Sequence, residues 1–120
     1  MSIKEEGKGK KEEVLDLRER TKIFALRVIR LYTSLPKTIE AQVIGKQVLR
    51  SGTSVGANYR EAYRARSKAE YIAKAGDSLR EIEETAYWFE LLVDGGIIAA
   101  DKLGRACKEF CVNGLVFGCQ

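Results

Sequence analysis

Between Ile72 and Val93 the apolar residues Ile72, Ala75, Leu79, Ile82, Ala86, Phe89 and Val93 recur at alternating steps of three and four. At 3.6 residues per turn those positions share one side of an α-helix, so the stretch predicts a long helix with a single apolar seam. The run "SKAE" at Ser67 to Glu70 fits a capping box at its start. In that motif the serine oxygen accepts from the third amide and the glutamate reaches back to the cap amide. "DGG" at Asp94 to Gly96 supplies a glycine stop at its end.

Upstream, Leu17, Phe24, Val28, Leu31 and Leu35 are spaced seven, four, three and four apart, a second stripe of the same kind. Pro36 cannot continue that helix, which is expected to end near Ser34. Thr38 then caps a helix running through Val43 and the Gly52 to Gly56 segment to about Arg64. Ser51, Gly52, Thr53, Ser54, Gly56 and Ala57 are nearly all small, and each glycine inside a helix costs about 1 kcal/mol against alanine. Close approach of a neighbouring helix offsets that cost, so a continuous helix is expected. After it, Leu103, Ala106, Phe110 and Phe117 keep a helical spacing that Gly104, Gly114 and Gly118 interrupt. Three long helices and a short or irregular last one, joined tightly, imply an all-α antiparallel four-helix bundle over residues 14–120, with residues 1–13 as a flexible tail.

The rest of the composition excludes more than it assigns. A chain of 120 residues, 45% hydrophobic and 32% charged with one proline, fits one helix-rich domain. No apolar run nears the ~20 residues that cross a bilayer. "MSIKEEGKGKKEE" has no apolar segment behind its charges and does not read as a secretory signal. With no histidine, Ser-His-Asp and Cys-His nucleophiles and histidine metal sites are ruled out. Cys107, Cys111 and Cys119 are odd in number and confined to the last fourteen residues, which fits a reducing, cytoplasmic setting. Three thiols fall short of a four-ligand zinc site, so neither metal nor cofactor is expected.

The stretch "RSGTSVGANYREAYRARS", residues 50–67, has the look of a glycine loop. A phosphate loop, however, needs GxxxxGK followed by Ser or Thr, and here Gly56 is followed by "ANY" without a preceding strand. The dinucleotide pattern GxGxxG fails likewise. Gly-x-x-x-Gly puts both glycines near one helix face, which favours close helix contact over anion binding.

The combination "RTKIFALRVIRLYTSLPKT" and "LRSGTSVGANYREAYRARSKAEYIAKAGDSLREIEET" resembles the bacterial 23S rRNA-intervening sequence proteins. "SVGANYREA" and "GDSLREIEET" are its most specific parts. The resemblance implies an up-and-down bundle that assembles into a ring, commonly a homopentamer, without catalytic activity. It extends distantly to the accessory protein of diversity-generating retroelements, a basic pentameric barrel that engages nucleic acid. The end "CKEFCVNGLVFGCQ" departs from the family's leucine-rich, basic last helix.

Net charge is +4 but polarised: the first two helical segments, residues 14–66, sum to +7 and the third, residues 67–94, to −4. Such polarity serves a phosphate backbone, or a neighbouring subunit's acidic helix; a merely solvated surface is the bland alternative. The candidate nucleic-acid contacts are Arg18, Arg20, Lys22, Arg27 and Arg30 on the first helix and Arg50, Arg60, Arg64 and Arg66 on or after the second. Tyr59 and Tyr63, interleaved with them, are candidates for stacking on unpaired bases or for packing. Asn58 with Glu61, and Ser78 with Glu81, are each three apart and are expected to form a structural polar cluster across the bundle. The expectation is a non-enzymatic, self-assembling module with RNA or DNA as ligand, binding neither membrane nor small molecule. A protein-interaction scaffold is the alternative.

Overall fold

In the computed structural model, residues 16–101 and Leu103 are described. They form three α-helices: α1 (Leu17–Thr33), α2 (Ile39–Tyr63) and α3 (Lys68–Asp94), with no strand among the described residues. Ala100, Asp101 and Leu103 are helical as well. The expected four-helix bundle is therefore met by three helices here. The rest of the fourth segment, including Cys107 to Gln120, and the N-terminal thirteen residues lie outside the described residues.

Each boundary has a local cause. Asp16 caps α1 by accepting from the Arg18 amide at 2.8 Å. Thr38 caps α2 by accepting from Ala41 N–H at 3.3 Å. Ser67 caps α3 by accepting from Glu70 N–H at 3.0 Å. The Glu70 carboxylate overshoots the expected capping-box partner and accepts from the Arg66 amide at 3.1 Å. At the far end Gly95 is the C-cap and Gly96, at φ +73°, takes the left-handed conformation that side chains disfavour. Ile97 N–H then reaches Leu92 O at 2.9 Å and Gly96 N–H reaches Val93 O at 3.0 Å, a Schellman stop. Between α1 and α2, Tyr32 donates its hydroxyl to Gln42 Oε1 at 2.9 Å while Gln42 Nε2 donates to Pro36 O at 2.9 Å, so one glutamine pins the turn.

α2 runs unbroken through its small-residue segment because α1 lies on it. Gly45, Gly52 and Gly56, seven and four apart, share the side facing α1. A Cβ at Gly52 would stand 2.9 and 3.0 Å from the two methyls of Val28, and one at Gly56 would stand 3.0 Å from Thr21 Oγ1. The adjoining flank of α2 carries Ser51 and Val55 to α3, where the Ser51 and Thr85 hydroxyls meet at 2.7 Å and Ser78 Oγ donates to Val55 O at 2.8 Å. On both α1 and α3 the contacting residue number falls as that of α2 rises, so neighbouring helices are antiparallel.

The core line is Phe24, Val28 and Leu31 from α1, Val48 and Val55 from α2, Phe89 and Leu92 from α3, and Leu103. Phe24 and Phe89 meet edge to face at 6.4 Å and 65°, joining α1 to α3. The buried line on α3 differs from the expected seam. It is Ser78, Thr85, Phe89 and Leu92, while Ile72 and Leu79 stay 61% and 44% exposed. The apolar period is correct but its centre is displaced, because the flank that meets α2 is built of small hydroxyl residues. Those hydroxyls are satisfied by geometry: Ser51 also lies 2.9 Å from Gln47 O and Thr85 2.7 Å from Glu81 O. Two protons serve these contacts, one crossing between helices and one returning to its own helix.

Candidate nucleic-acid interface

Six of the nine sequence-predicted cations fall into three environments. Arg50 is engaged: it pairs with Glu84 and approaches Glu81 at 3.6 Å, a distance too long for a hydrogen bond. Trp88 Nε1 donates to the same Glu84 oxygen at 3.1 Å, closing a polar strap between α2 and α3. The indole and Arg50 hold the Glu84 carboxyl below its ordinary value of 4.5, against a smaller opposing push from burial. Folded Glu84 thus gives up its proton more readily than unfolded Glu84. Its contribution is complete above pH 4.5 and is lost as pH falls through the lowered folded value. Glu84→Gln keeps an acceptor for Trp88 but removes the charge. The expected outcome is a shallower decline of melting temperature between about pH 5 and pH 3 than in the parent protein. An identical acid limb in both proteins contradicts this role.

Arg64 and Arg66 lie at the α2–α3 junction, where they line a depression together with Glu61, Glu70 and Lys74. Lys74 Nζ bonds Glu61 at 2.8 Å, which lowers the Glu61 carboxyl and raises the Lys74 ammonium. Lys74 is spent on Glu61, and no aromatic ring is among the five lining residues.

The third environment brings Arg18, Lys22, Arg60 and Tyr63 together, where the start of α1 meets the end of α2. Arg18 stacks its guanidinium on Tyr63, with Cζ 3.9 Å from the ring centroid, and its Nη2 bonds Asp16 at 2.7 Å. Hydrogen bonding to Asp16 raises the Arg18 pKa and lowers that of Asp16. Arg60 Nη2 reaches Arg18 O at 3.4 Å. Beside this stack a shallow furrow runs between α1 and α2, lined by Thr21, Lys22, Ala25, Thr53, Gly56, Ala57 and Arg60. None of these seven is acidic, and the small floor lets a ligand approach the backbone between two cations.

The remaining candidates do not join this site. Arg30 is exposed at the other end of α1, in its last turn, where a cation complements the helix dipole. Arg20 and Arg27, seven apart, are half-buried on a different flank of α1. Tyr59 is half-buried; burial, then Tyr71, pushes its hydroxyl up. The expected cluster of Asn58, Glu61, Ser78 and Glu81 is replaced by separate contacts: Glu61 goes to Lys74, Ser78 to Val55 O and Glu81 towards Arg50. Asn58 is half-buried. The polar link that does cross the core, Ser51 to Thr85, escaped the sequence reading, as did the role of Asp16. A run of small polar residues ahead of Asn58 was the available signal for the first. No group of His, Cys, Asp and Glu among the described residues is arranged to hold a metal ion. No helix among them is long and apolar enough to cross a membrane.

Residues 13–111 match the family described as 23S rRNA-intervening sequence protein. The chain belongs to the 23S rRNA-intervening sequence protein family. A similar fold occurs in the crystal structure of a protein of unknown function from the S23 ribosomal protein family of Bacteroides thetaiotaomicron VPI-5482. That protein is 37% identical, with a TM-score of 0.74 over 81% of this chain and 90% of that one. No curated protein matches the chain. For this member of the 23S rRNA-intervening sequence protein family, the shared region contains α1 to α3 and hence the whole furrow.

Proposed function

We propose that the protein is a non-enzymatic, cytoplasmic RNA-binding module that assembles with itself. The furrow between α1 and α2 carries the reading, because Lys22 and Arg60 flank a floor of small residues with no carboxylate among its lining. Two cations across a narrow, uncharged floor suit a phosphate backbone, whose binding releases counterions. The ribosomal RNA named in the family's description supports RNA over DNA as the ligand class of this reading. Titration of a labelled, structured RNA with salt tests the ligand. Log affinity is expected to fall linearly with log salt, and no binding at low salt removes the RNA reading.

A protein-interaction scaffold is the second reading. It is favoured by Leu26 and Ile29 on α1 and Ile39 and Val43 on α2, exposed by 45, 41, 80 and 57%. Resemblance to ring-forming relatives makes a second copy the first partner to test and a pentamer the expected state. Light scattering coupled to gel filtration is expected to give a mass of several subunits. A monomer at micromolar concentration removes self-assembly and leaves RNA binding to stand alone.

A further inference from the structure

Arg18 is held more closely than Arg60, whose one bond on this surface is the 3.4 Å contact to Arg18 O. Asp16 Oδ1 accepts the Arg18 backbone N–H at 2.8 Å, Asp16 Oδ2 accepts Nη2 at 2.7 Å and Nε at 3.2 Å, and the Tyr63 ring lies 3.9 Å from Cζ. The carboxylate holds the guanidinium by its edge while the ring supports one of its faces. Its charge is matched by Asp16, so it adds little to general phosphate attraction. What it presents instead is a flat, weakly hydrated plane, and its side chain remains 41% exposed above a tyrosine that is 53% exposed. Lys22 and Arg60 line the same depression as Arg18, beside Asp16 and Glu19. A fixed plane with two phosphate-binding cations next to it has the composition of a nucleotide seat, not of a duplex track.

We propose that the Arg18–Tyr63 stack seats an unpaired RNA nucleotide, its base on the outward face of the Arg18 guanidinium and its phosphate between Lys22 and Arg60. The proposal rests on the RNA-binding reading above and narrows it to RNA with an unpaired base. Paired bases are buried in their own stack, whereas bulged and looped bases are free to stack on aromatic rings and arginine planes. The Asp16 carboxylate repels a phosphate from the edge of Arg18, which sends the sugar-phosphate chain to the Lys22 and Arg60 side and leaves the plane to the base.

The test compares two labelled hairpins with the same stem, one fully paired and one with a bulge containing 2-aminopurine. The protein is expected to bind the bulged RNA about tenfold tighter and to quench its fluorescence, as for one stacked base. Arg18→Lys keeps the charge but loses the plane. Tyr63→Ala removes the support, and Tyr63→Phe preserves it. The first two are expected to abolish the preference and the quenching, leaving the paired hairpin bound within about twofold of the parent, while Tyr63→Phe retains both. Should Arg18→Lys melt early by circular dichroism, the Tyr63→Ala against Tyr63→Phe comparison decides alone. Equal binding of both hairpins by the parent protein, or a preference that survives in Arg18→Lys and Tyr63→Ala, overturns the proposal. If paired RNA still binds with salt dependence in that case, the RNA reading stands without it. If neither hairpin binds, both fall.

Discussion

Replacing Gly52 by valine is expected to destabilise the protein by about 3 kcal/mol, lowering the melting temperature by on the order of 15 °C. Propensity alone points the other way, since valine is a few tenths of a kcal/mol better than glycine inside a helix. Packing wins because the added Cβ stands within 3.0 Å of both Val28 methyls and 3.3 Å from its Cβ. Rotation about χ1 of Val28 only exchanges one methyl for another, and the side chain is fully buried, so α1 and α2 must separate. The contrast with Gly45 is instructive: there the nearest atom, at 2.5 Å, is a terminal methyl of Leu35, which can turn aside. Gly76 provides the opposite control, since its nearest neighbour is an Arg80 nitrogen at 4.0 Å. Gly76→Ala is therefore expected to stabilise by about 1 kcal/mol. Val28→Ala, harmful alone through the cavity it leaves, is expected to recover more than half of the Gly52→Val loss when the two are combined. Urea unfolding of the parent, the two single variants and the double variant closes the cycle, and additive losses mean that these helices are not held apart at this point.

That contact also marks how far the sequence could be read. Pro36, Thr38, Ser67 and the glycines at 95 and 96 act within one turn of their own position, and the ends of α2 and α3 fell where those residues placed them. Periodicity defined helix faces but not which neighbour each face meets. Ile72 and Leu79 therefore read as core, although the buried line runs through Ser78 and Thr85. The polar cluster failed for the same reason. Spacing placed Glu61 with Asn58 and Glu81 with Ser78 along their own helices, but the partner across the gap is chosen by relative helix height, which gave Glu61 to Lys74 and Glu81 to Arg50. The site itself was half legible. Arg18, Lys22, Arg60 and Tyr63 stood among the candidates, but their gathering depends on the antiparallel return of α2 past the start of α1. The Asp16 clamp depends on a cap that no apolar pattern announces.

The double substitution Lys22→Glu with Arg60→Glu is expected to weaken RNA binding on the order of 100-fold at 0.1 M salt while leaving the fold unchanged. Neutralising a phosphate releases roughly 0.9 of a counterion, so removing two contacts costs nearly two powers of the salt concentration, and the log–log slope should become shallower by about 2. Reversal adds direct repulsion to that loss. The fold should tolerate the change because both residues are exposed and stand on the rims of the furrow, clear of the Gly52 and Val28 contact. Arg50→Glu makes the necessary contrast: it also reverses a cation of α2 but sets a carboxylate beside Glu81 and Glu84, so stability should suffer modestly while the RNA salt slope stays near that of the parent. The slope separates a specific track from bulk charge, because a protein that binds RNA only through its net charge of +4 would respond alike to every reversal. If Arg50→Glu flattens the slope as much per charge as the furrow pair, the furrow has no privileged role and α2 attracts RNA as a diffuse cation. If only the furrow pair does so, the phosphate path runs between α1 and α2, over the residues whose smallness first let those helices close.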